Sequence, residues 1–143
     1  MKNQKGFTII ELIVVISIIA VLASIVLVNT IQYINKSRDA AIKADLNTVM
    51  TNLISNLADG TGITASSISS DKGWIAVTKL QTDEEKRFES VDNDTQTFCA
   101  CAQELATSSA TFYCVDTSGS PKETKNPCSA SNCGKDSEPV CPL

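Results

Sequence analysis

The chain has 143 residues, a formal net charge of −4, no histidine and six cysteines. If an apolar first segment of about 30 residues is set aside, about 110 residues remain, enough for one small domain but not for two separate cores. The acidic balance excludes nonspecific attraction to nucleic acid, so no direct nucleic-acid binding is expected.

The first element is an apolar segment from Phe7 to Val28, which follows a short leader containing Lys2 and Lys5. As a helix it would span about 33 Å at about 1.5 Å per residue, which is enough to cross a bilayer. The two lysines predict that the N-terminus stays on the cytoplasmic side of the membrane. A cleaved secretory signal is the alternative, because residues 21–23 offer a cleavage position before Ser24.

Glu11 is an ionisable residue inside this apolar segment. An acidic side chain in hydrocarbon costs on the order of 3 kcal/mol on insertion scales, so a functional partner is expected. If the chain is cut between Gly6 and Phe7, the new amino group lies one helical turn before Glu11 and can meet the carboxylate of an adjacent copy. The alternative is that Glu11 only occupies the first helical turns, where the helix dipole and interfacial water favour an acid.

The string "KGFTIIEL" at residues 5–12, followed by an unbroken apolar run, resembles the class III signal of type IV pilins and the related pseudopilins. The resemblance implies that a prepilin peptidase cuts after Gly6 and methylates Phe7. It implies that the mature helices pack as the core of a filament, with Glu11 paired to the amino group of Phe7 in a neighbour. The implied partners are this peptidase, identical or related pilin subunits and the inner-membrane assembly machinery. The implied location is the cell membrane before assembly and an extracellular or periplasmic filament afterwards.

Apolar residues then recur at three- or four-residue steps, which predicts one buried stripe on an amphipathic helix. No Pro or Gly interrupts residues 7–59, so we expect one helix of about 50 residues that ends at Asp59 and Gly60. The predicted divisions are a leader at 1–6, a transmembrane and polymerisation helix at 7–28, an amphipathic half at 29–59 and a β-rich domain with a cysteine-rich tail at 60–143. The stripe comprises Ile31, Ile34, Ile42, Leu46, Val49, Leu53 and Leu57.

Three short segments rich in aromatic or β-branched residues predict antiparallel strands, at residues 73–80, 96–103 and 110–116. A Ser/Thr loop is expected before the first segment. A surface helical turn is expected after it, because Thr82 and Glu85 have the spacing of a capping box. The expected fold class is therefore α+β and type IV pilin-like, with a long N-terminal helix packed against a small antiparallel sheet and a disulfide-stapled C-terminal loop.

The cysteines all lie in the last third of the chain, and their even number predicts a disulfide framework outside the cytoplasm. A zinc site is the alternative, but the sequence has no His and no paired C-x2-C motifs. If the second and third predicted strands form a hairpin, Cys99 faces Cys114 and Cys101 bonds into the tail. The six disulfide candidates are Cys99, Cys101, Cys114, Cys128, Cys133 and Cys141.

The turn with Asp92, Asn93 and Asp94 offers oxygen ligands for calcium, although a solvated turn is the favoured alternative. No other metal site and no cofactor are expected. The sequence has no His, no G-x-S-x-G motif and no phosphate-binding glycine loop, so a structural rather than an enzymatic protein is expected. The predicted function is that of a filament subunit for adhesion, motility or DNA uptake. The alternatives are a pseudopilin of a type II secretion or competence system, and a secreted disulfide-rich binding domain.

Overall fold

The computed structural model of the chain describes residues 6–106, 110–129, 133 and 141, except for the side chains at positions 27 and 28. The predicted leader therefore lies outside the described residues, apart from Gly6. Contacts divide the chain into two compact units, Met1–Asn35 and Lys36–Leu143, and the first helix contributes to both. The described elements are α1 (Ile9–Ala58), α2 (Ala65–Ser69), α3 (Lys72–Leu80), a 3-10 helix (Glu84–Lys86), β1 (Arg87–Asp92), β2 (Thr97–Gln103), β3 (Phe112–Asp116) and β4 (Lys122–Thr124).

In the first unit, α1 exposes apolar side chains all around its axis. The large hydrophobic residues at 9–26 and at 31–34 are exposed. By its length and composition, the helix is long and apolar enough to cross a membrane. Hydroxyl groups within this stretch donate to carbonyl oxygens of the same helix: Ser17 to Ile13, Ser24 to Val21 and Thr30 to Val26.

In the second unit, α1 buries one stripe of its surface. This stripe joins residues of α2, α3 and the sheet in one apolar core, while Leu57 is partly buried at its edge. The predicted stripe is therefore confirmed from Ile42 onward, but Ile31 and Ile34 belong to the first unit and are exposed. The fully buried stripe residues of α1 are Ile42, Leu46, Val49 and Leu53.

The end of α1 is fixed by Gly60, as the sequence predicts. Its φ of 73° is a left-handed value that glycine adopts without strain. The Gly60 backbone N donates to the Leu57 carbonyl at 3.2 Å, and the Thr61 backbone N donates to the Asn56 carbonyl at 3.0 Å. These two bonds form a Schellman motif, which satisfies carbonyl groups that the last helical turn leaves free.

The sheet is antiparallel, with the strand order β1-β2-β3-β4. In the pairing of β2 with β3, Ala100 lies opposite Val115 and Cys101 lies opposite Cys114. Because side chains alternate across a strand, the face of the sheet that carries Ala100 packs into the helical core. The face that carries Cys101 points away from this core. The expected α+β architecture is confirmed, with four strands in the described part instead of three.

Residues 73–80 form α3 and not a strand, so this prediction was wrong. Asp71 is the N-cap of α3, and its carboxylate accepts a hydrogen bond from the Gly73 backbone N at 2.7 Å. Trp74 and Val77 lie three positions apart on one helical face and are both buried. Burial of this face outweighs the strand preference of the Trp, Ile, Val and Thr residues in the segment, since strand propensity depends strongly on context.

Replacing Gly73 with Ala is expected to destabilise the second unit by about 2 kcal/mol, although Ala favours a helix interior by about 1 kcal/mol. A Cβ at this position would lie 2.5 Å from the Asp45 carbonyl oxygen and 3.1 Å from Val49 Cγ2, so α3 would have to move away from α1. Denaturant unfolding of the full chain in detergent, followed by the fluorescence of Trp74, measures the change. The exposed substitution Lys72→Ala is the control. A Gly73→Ala variant as stable as wild type would contradict this close packing.

Three smaller predictions for residues 65–92 also need correction. The Ser/Thr stretch before α3 contains the short helix α2 instead of a loop. The predicted helical turn is present as the 3-10 helix, but its N-cap is Asp83, whose carboxylate accepts from the Glu85 backbone N, and not Thr82. The strand β1 follows it directly. β1 was missed because Arg87 and Glu89 alternate with Phe88, so the face paired with Ala102 and Ala100 carries charges.

Candidate functional site

Gly6 and Phe7, the predicted processing residues, lie before the start of α1. Both are exposed, and the Phe7 side chain is 84% exposed. The peptide bond that joins them is therefore outside the helical hydrogen-bond ladder, a placement that favours access by a peptidase.

Glu11 and Thr8 form a reciprocal capping box at the N-terminus of α1. The Thr8 backbone N and the Thr8 hydroxyl donate to Glu11 Oε2 at 2.9 and 2.8 Å. The Glu11 backbone N donates to the Thr8 hydroxyl at 3.3 Å. These bonds satisfy donors that a helix N-terminus otherwise leaves free. The role of Thr8 was not predicted from the sequence, although the T-x-x-E spacing before an apolar run is a signal for this motif.

The capping box leaves one oxygen of the Glu11 carboxylate available. Both bonds from Thr8 end on Oε2, and the side chain is exposed. A carboxylate has about four lone-pair positions, so Oε1 can still accept a hydrogen bond from a donor outside the chain. Local capping and pairing with another copy are therefore compatible at this residue.

The second unit carries its cysteines in one layer on the sheet face away from the helical core. Cys99, Cys101 and Cys114 belong to β2 and β3, and all six cysteines are buried together with Phe112. Each strand cysteine is bonded to one cysteine of the tail, so Cys128, Cys133 and Cys141 lie against this face. The disulfides are Cys99–Cys133, Cys101–Cys128 and Cys114–Cys141.

The predicted pairing of Cys99 with Cys114 was wrong, whereas the bond from Cys101 into the tail is confirmed. The strands pair two residues out of the expected register, so Cys114 faces Cys101 and Cys99 faces Asp116. A two-residue shift keeps every side chain on its face, and the sulfurs of Cys99 and Cys114 still lie 3.4 Å apart. Cys133 joins these two in a group of sulfurs within 4.8 Å of one another, but all are in disulfides and none is a free thiolate for zinc.

Asp116 fastens the tail to the end of β3. Its fully buried carboxylate accepts hydrogen bonds from the Ser118 hydroxyl at 2.5 Å and from the backbone N of Ser118 and of Cys141 at 2.9 Å each. Lys122 Nζ lies 3.5 Å away. Burial raises the pKa of Asp116, but the hydrogen bonds and the Lys122 charge outweigh burial and hold its pKa below the usual range.

We expect Asp116→Asn to lower the free energy of unfolding by about 2 kcal/mol at neutral pH, because charged hydrogen bonds become neutral ones. Since the folded pKa lies below the unfolded value of about 3.9, this contribution is complete above about pH 4 and is lost as the pH falls through the folded pKa. The difference between wild type and variant should therefore shrink in acid. Denaturant unfolding at several pH values measures it, with exposed Asp94→Asn as the control. A difference that stays constant down to about pH 2 would contradict the linkage.

A polar cluster that was not predicted from the sequence connects α1 to the sheet within the second unit. The Asp39 carboxylate accepts from the Leu105 and Ala106 backbone N atoms at 2.5 and 2.8 Å. Lys43 forms ion pairs with Glu104 at 2.8 Å and with Glu123 at 2.6 Å, and the hydrogen bonds to these two residues raise its pKa. The available signal was that Asp39 stands three residues before Ile42 and so occupies a position of the apolar stripe.

The turn between β1 and β2 is closed by hydrogen bonds to residues that were proposed as calcium ligands. Asp92 Oδ1 accepts from the backbone N of Asp94 at 2.8 Å and of Thr95 at 3.2 Å, and these bonds lower the pKa of Asp92. Gln96 adopts a left-handed φ of 55°, and its side-chain Oε1 accepts from the Ile63 backbone N at 2.7 Å. This geometry agrees with the solvated turn that the sequence favoured, and calcium binding stays an untested prediction.

Comparison with known proteins identifies one family motif and two relatives. Residues 1–27 match the family described as "Prokaryotic N-terminal methylation motif". The chain is 36% identical over 88 residues to the type IV major alpha-pilin of Moraxella bovis, covering 61% of this chain and 55% of that protein. It is 45% identical over 47 residues to the type IV wide pilus major component PilA4 of Thermus thermophilus, covering 33% of this chain and 36% of that protein. The chain thus spans about half or less of the length of these curated relatives, and no solved structure gives a significant match.

The part of the chain that matches the prokaryotic N-terminal methylation motif, residues 1–27, includes the start of the apolar capped helix α1. Beyond this motif, the chain is similar to the type IV pilins named above. Both of these relatives are named as components of type IV pili, which are structural filaments.

Proposed function

We propose that this chain is the structural subunit of a type IV pilus-like filament. The observation that carries the proposal is the methylation motif at residues 1–27. This motif includes the start of an apolar helix whose described large hydrophobic side chains in the first unit are exposed. Such a surface must be covered, by lipid before assembly and by neighbouring helices afterwards. The chain would then be anchored in the membrane as a single span, with its N-terminus on the cytoplasmic side.

The first step is processing between Gly6 and Phe7 by a prepilin peptidase, followed by methylation of the new amino group. The exposure of both residues outside α1 supports this step. The cut leaves a positive charge just before the capped helix N-terminus, where the helix dipole disfavours a cation. Carboxylates that offset this charge are therefore needed, and Glu11 is the acidic residue in the first turn of α1.

The second step is assembly, in which Glu11 accepts the Phe7 amino group of a neighbouring subunit. A carboxylate removed from water is costly alone but is stabilised by a close cation and by further hydrogen bonds. Thr8 supplies the further hydrogen bonds on Oε2, and the neighbour's amino group would approach Oε1. The pair sets the axial register of otherwise apolar helices, as a buried polar residue does in a coiled coil.

An ordinary secretory signal fits less well, because cleavage before Ser24 would fall inside α1, which continues from Ile9 to Ala58. A pseudopilin would share the processing step and the helix packing with a pilin. The two would differ in the cellular location of the filament. Filaments sheared from the cell surface would indicate a pilus for adhesion, motility or DNA uptake. Short filaments confined to the periplasm would indicate a secretion or competence system.

Intact-mass analysis of the subunit from membranes and from sheared filaments tests the proposal. We expect a mature chain that begins at an N-methylated Phe7 and that is recovered in filaments seen by electron microscopy. The Gly6→Leu variant should stay uncut and outside filaments, while its second unit folds normally. A mature N-terminus at Ser24, or wild-type chains that never form filaments, would refute the proposed function.

A further inference from the structure

The pairing of Glu11 with a neighbour's Phe7 fixes how two helices are staggered. For these residues to meet, a parallel neighbour must be shifted by four residues, which is about 6 Å along the helix axis. With this shift, every residue of one copy is level with the residue four positions later in the other copy. Asn29 of one copy is then level with Tyr33 of the next.

Asn29 and Tyr33 are both exposed polar side chains in the first unit, and Tyr33 is 79% exposed. Within the described part of the chain, neither the Asn29 amide nor the Tyr33 hydroxyl has a hydrogen-bond partner. Ser17, Ser24 and Thr30 differ, because their hydroxyls bond to their own helix. The two free groups lie one turn apart and border a groove of about 360 Å³ on the helix surface that is also lined by Ile25, Val26 and Thr30.

The Phe7 and Glu11 pair and the Asn29 and Tyr33 pair fall on nearly the same face. Phe7 precedes Asn29, and Glu11 precedes Tyr33, by the same interval of 22 residues. At about 3.6 residues per turn this interval is about six turns plus about 40°, so both pairs lie on neighbouring parts of the same surface. A single neighbouring helix can therefore contact both pairs. Gln32 is a further exposed amide nearby, and the same stagger places it level with Val28 of one neighbour and with Lys36 of the other.

We propose that the Asn29 amide and the Tyr33 hydroxyl hydrogen-bond to each other between neighbouring subunits and form a second polar contact that fixes the filament register. Each group can donate and accept. Before assembly both lie at the end of the membrane span, where interfacial water satisfies them. Packing of the helices excludes this water, and a buried polar group without a partner is costly. The stagger that pairs Asn29 with Tyr33 is therefore favoured over staggers that differ by one or more residues. This inference rests on the proposed function and deepens it.

Cross-linking of two single-cysteine subunits tests the stagger directly. The cysteines of the described chain are all in disulfides, so an introduced cysteine is a selectively reactive thiol. Asn29→Cys and Tyr33→Cys subunits with different tags are co-expressed, and their filaments are oxidised or treated with a short bismaleimide. We expect heterodimers that contain one subunit of each kind. Equal cross-linking of each variant with itself, or of Gln32→Cys with Tyr33→Cys, would overturn the proposed stagger.

Release of subunits from sheared filaments in mild detergent tests the hydrogen bond. Asn29→Leu and Tyr33→Phe should each raise the released fraction about fivefold, the effect of an interhelical hydrogen bond of about 1 kcal/mol. The double variant should be no worse than either single variant, because both remove the same bond. Gln32→Leu is the matched control and should release subunits as wild type does.

The outcomes separate this inference from the proposed function. If wild-type chains form filaments but Asn29→Leu, Tyr33→Phe and Gln32→Leu all release subunits at the wild-type rate, the Asn29–Tyr33 contact is wrong and the filament function stands. Additive effects of the two single changes would also refute the contact, because independent sites add. If wild-type chains form no filament, the proposed function fails and this inference fails with it.

Discussion

A Glu11→Gln subunit is expected to be processed normally but to be recovered in sheared filaments at least about tenfold less than wild type. Gln can keep both bonds from Thr8, since Glu and Gln serve equally at this position of a capping box. It removes only the charge, and leaving the neighbour's buried amino group without a counterion costs about 2–5 kcal/mol. Immunoblots of membranes and of the sheared fraction measure processing and assembly separately.

Two further variants distinguish the two roles of the Glu11 carboxylate, which are helix capping and charge pairing with a neighbour. Glu11→Ala loses both the cap and the charge, so its helix N-terminus is weakened by about 1 kcal/mol in addition to the assembly defect. Thr8→Val keeps the charge and loses only the hydroxyl, so it should assemble nearly as wild type does. If Glu11→Gln assembles as well as wild type and Thr8→Val does not, the carboxylate acts only as a helix cap and the intersubunit pair is wrong.

Complete reduction of the three disulfides is expected to unfold the second unit. Closing a loop with a sequence separation of 27, as Cys101–Cys128 does, stabilises by about 3.5 kcal/mol in the chain-entropy model. Three such bonds contribute about 10 kcal/mol, as much as the whole stability of a typical domain. Buried Trp74 is the one tryptophan of the chain, so a red shift of its fluorescence on reduction reports the loss of the core.

The double substitution Cys101→Ala with Cys128→Ala gives a graded test, because it removes one disulfide and leaves the other two. It should lower the free energy of unfolding by about 3 kcal/mol and leave the unit folded at room temperature. Peptide mapping without reductant checks that the remaining pairs are unchanged. Unaltered Trp74 fluorescence after full reduction, confirmed by thiol titration, would contradict the role assigned to the disulfides.

The elements that the sequence predicted correctly are those whose pattern depends on local physics. α1 has a long run without Gly or Pro, a buried periodicity from Ile42 and a glycine stop, and each signal acts within a few residues. α3 was missed because its strand-forming composition is overruled by Asp71 at the N-cap and by burial of Trp74 against the core. β1 was missed because Arg87 and Glu89 place charges on its inner face, so the strand lacks the usual alternation of apolar and polar residues. Inward-pointing charges of this kind are known to protect the edge strands of sheets from pairing with other chains.

At the candidate site, the motif around Glu11 could be found from the sequence because all its members lie within six residues of Gly6. The disulfide partners could not be found in the same way. Their pairing depends on the register of β2 with β3 and on the course of the tail, and both are set by contacts between residues far apart in the chain. The Asp39 contact with the Leu105 and Ala106 backbone is likewise long-range and has no signature in either segment.

Every disulfide of this protein joins a strand cysteine to a tail cysteine, and none joins two strand cysteines. During synthesis, Cys99, Cys101 and Cys114 are therefore translated before any of their partners. A chain cut short before Cys128 would retain three unpaired thiols and an uncovered sheet face. The complete set of disulfides can therefore form only after translation has passed Cys141.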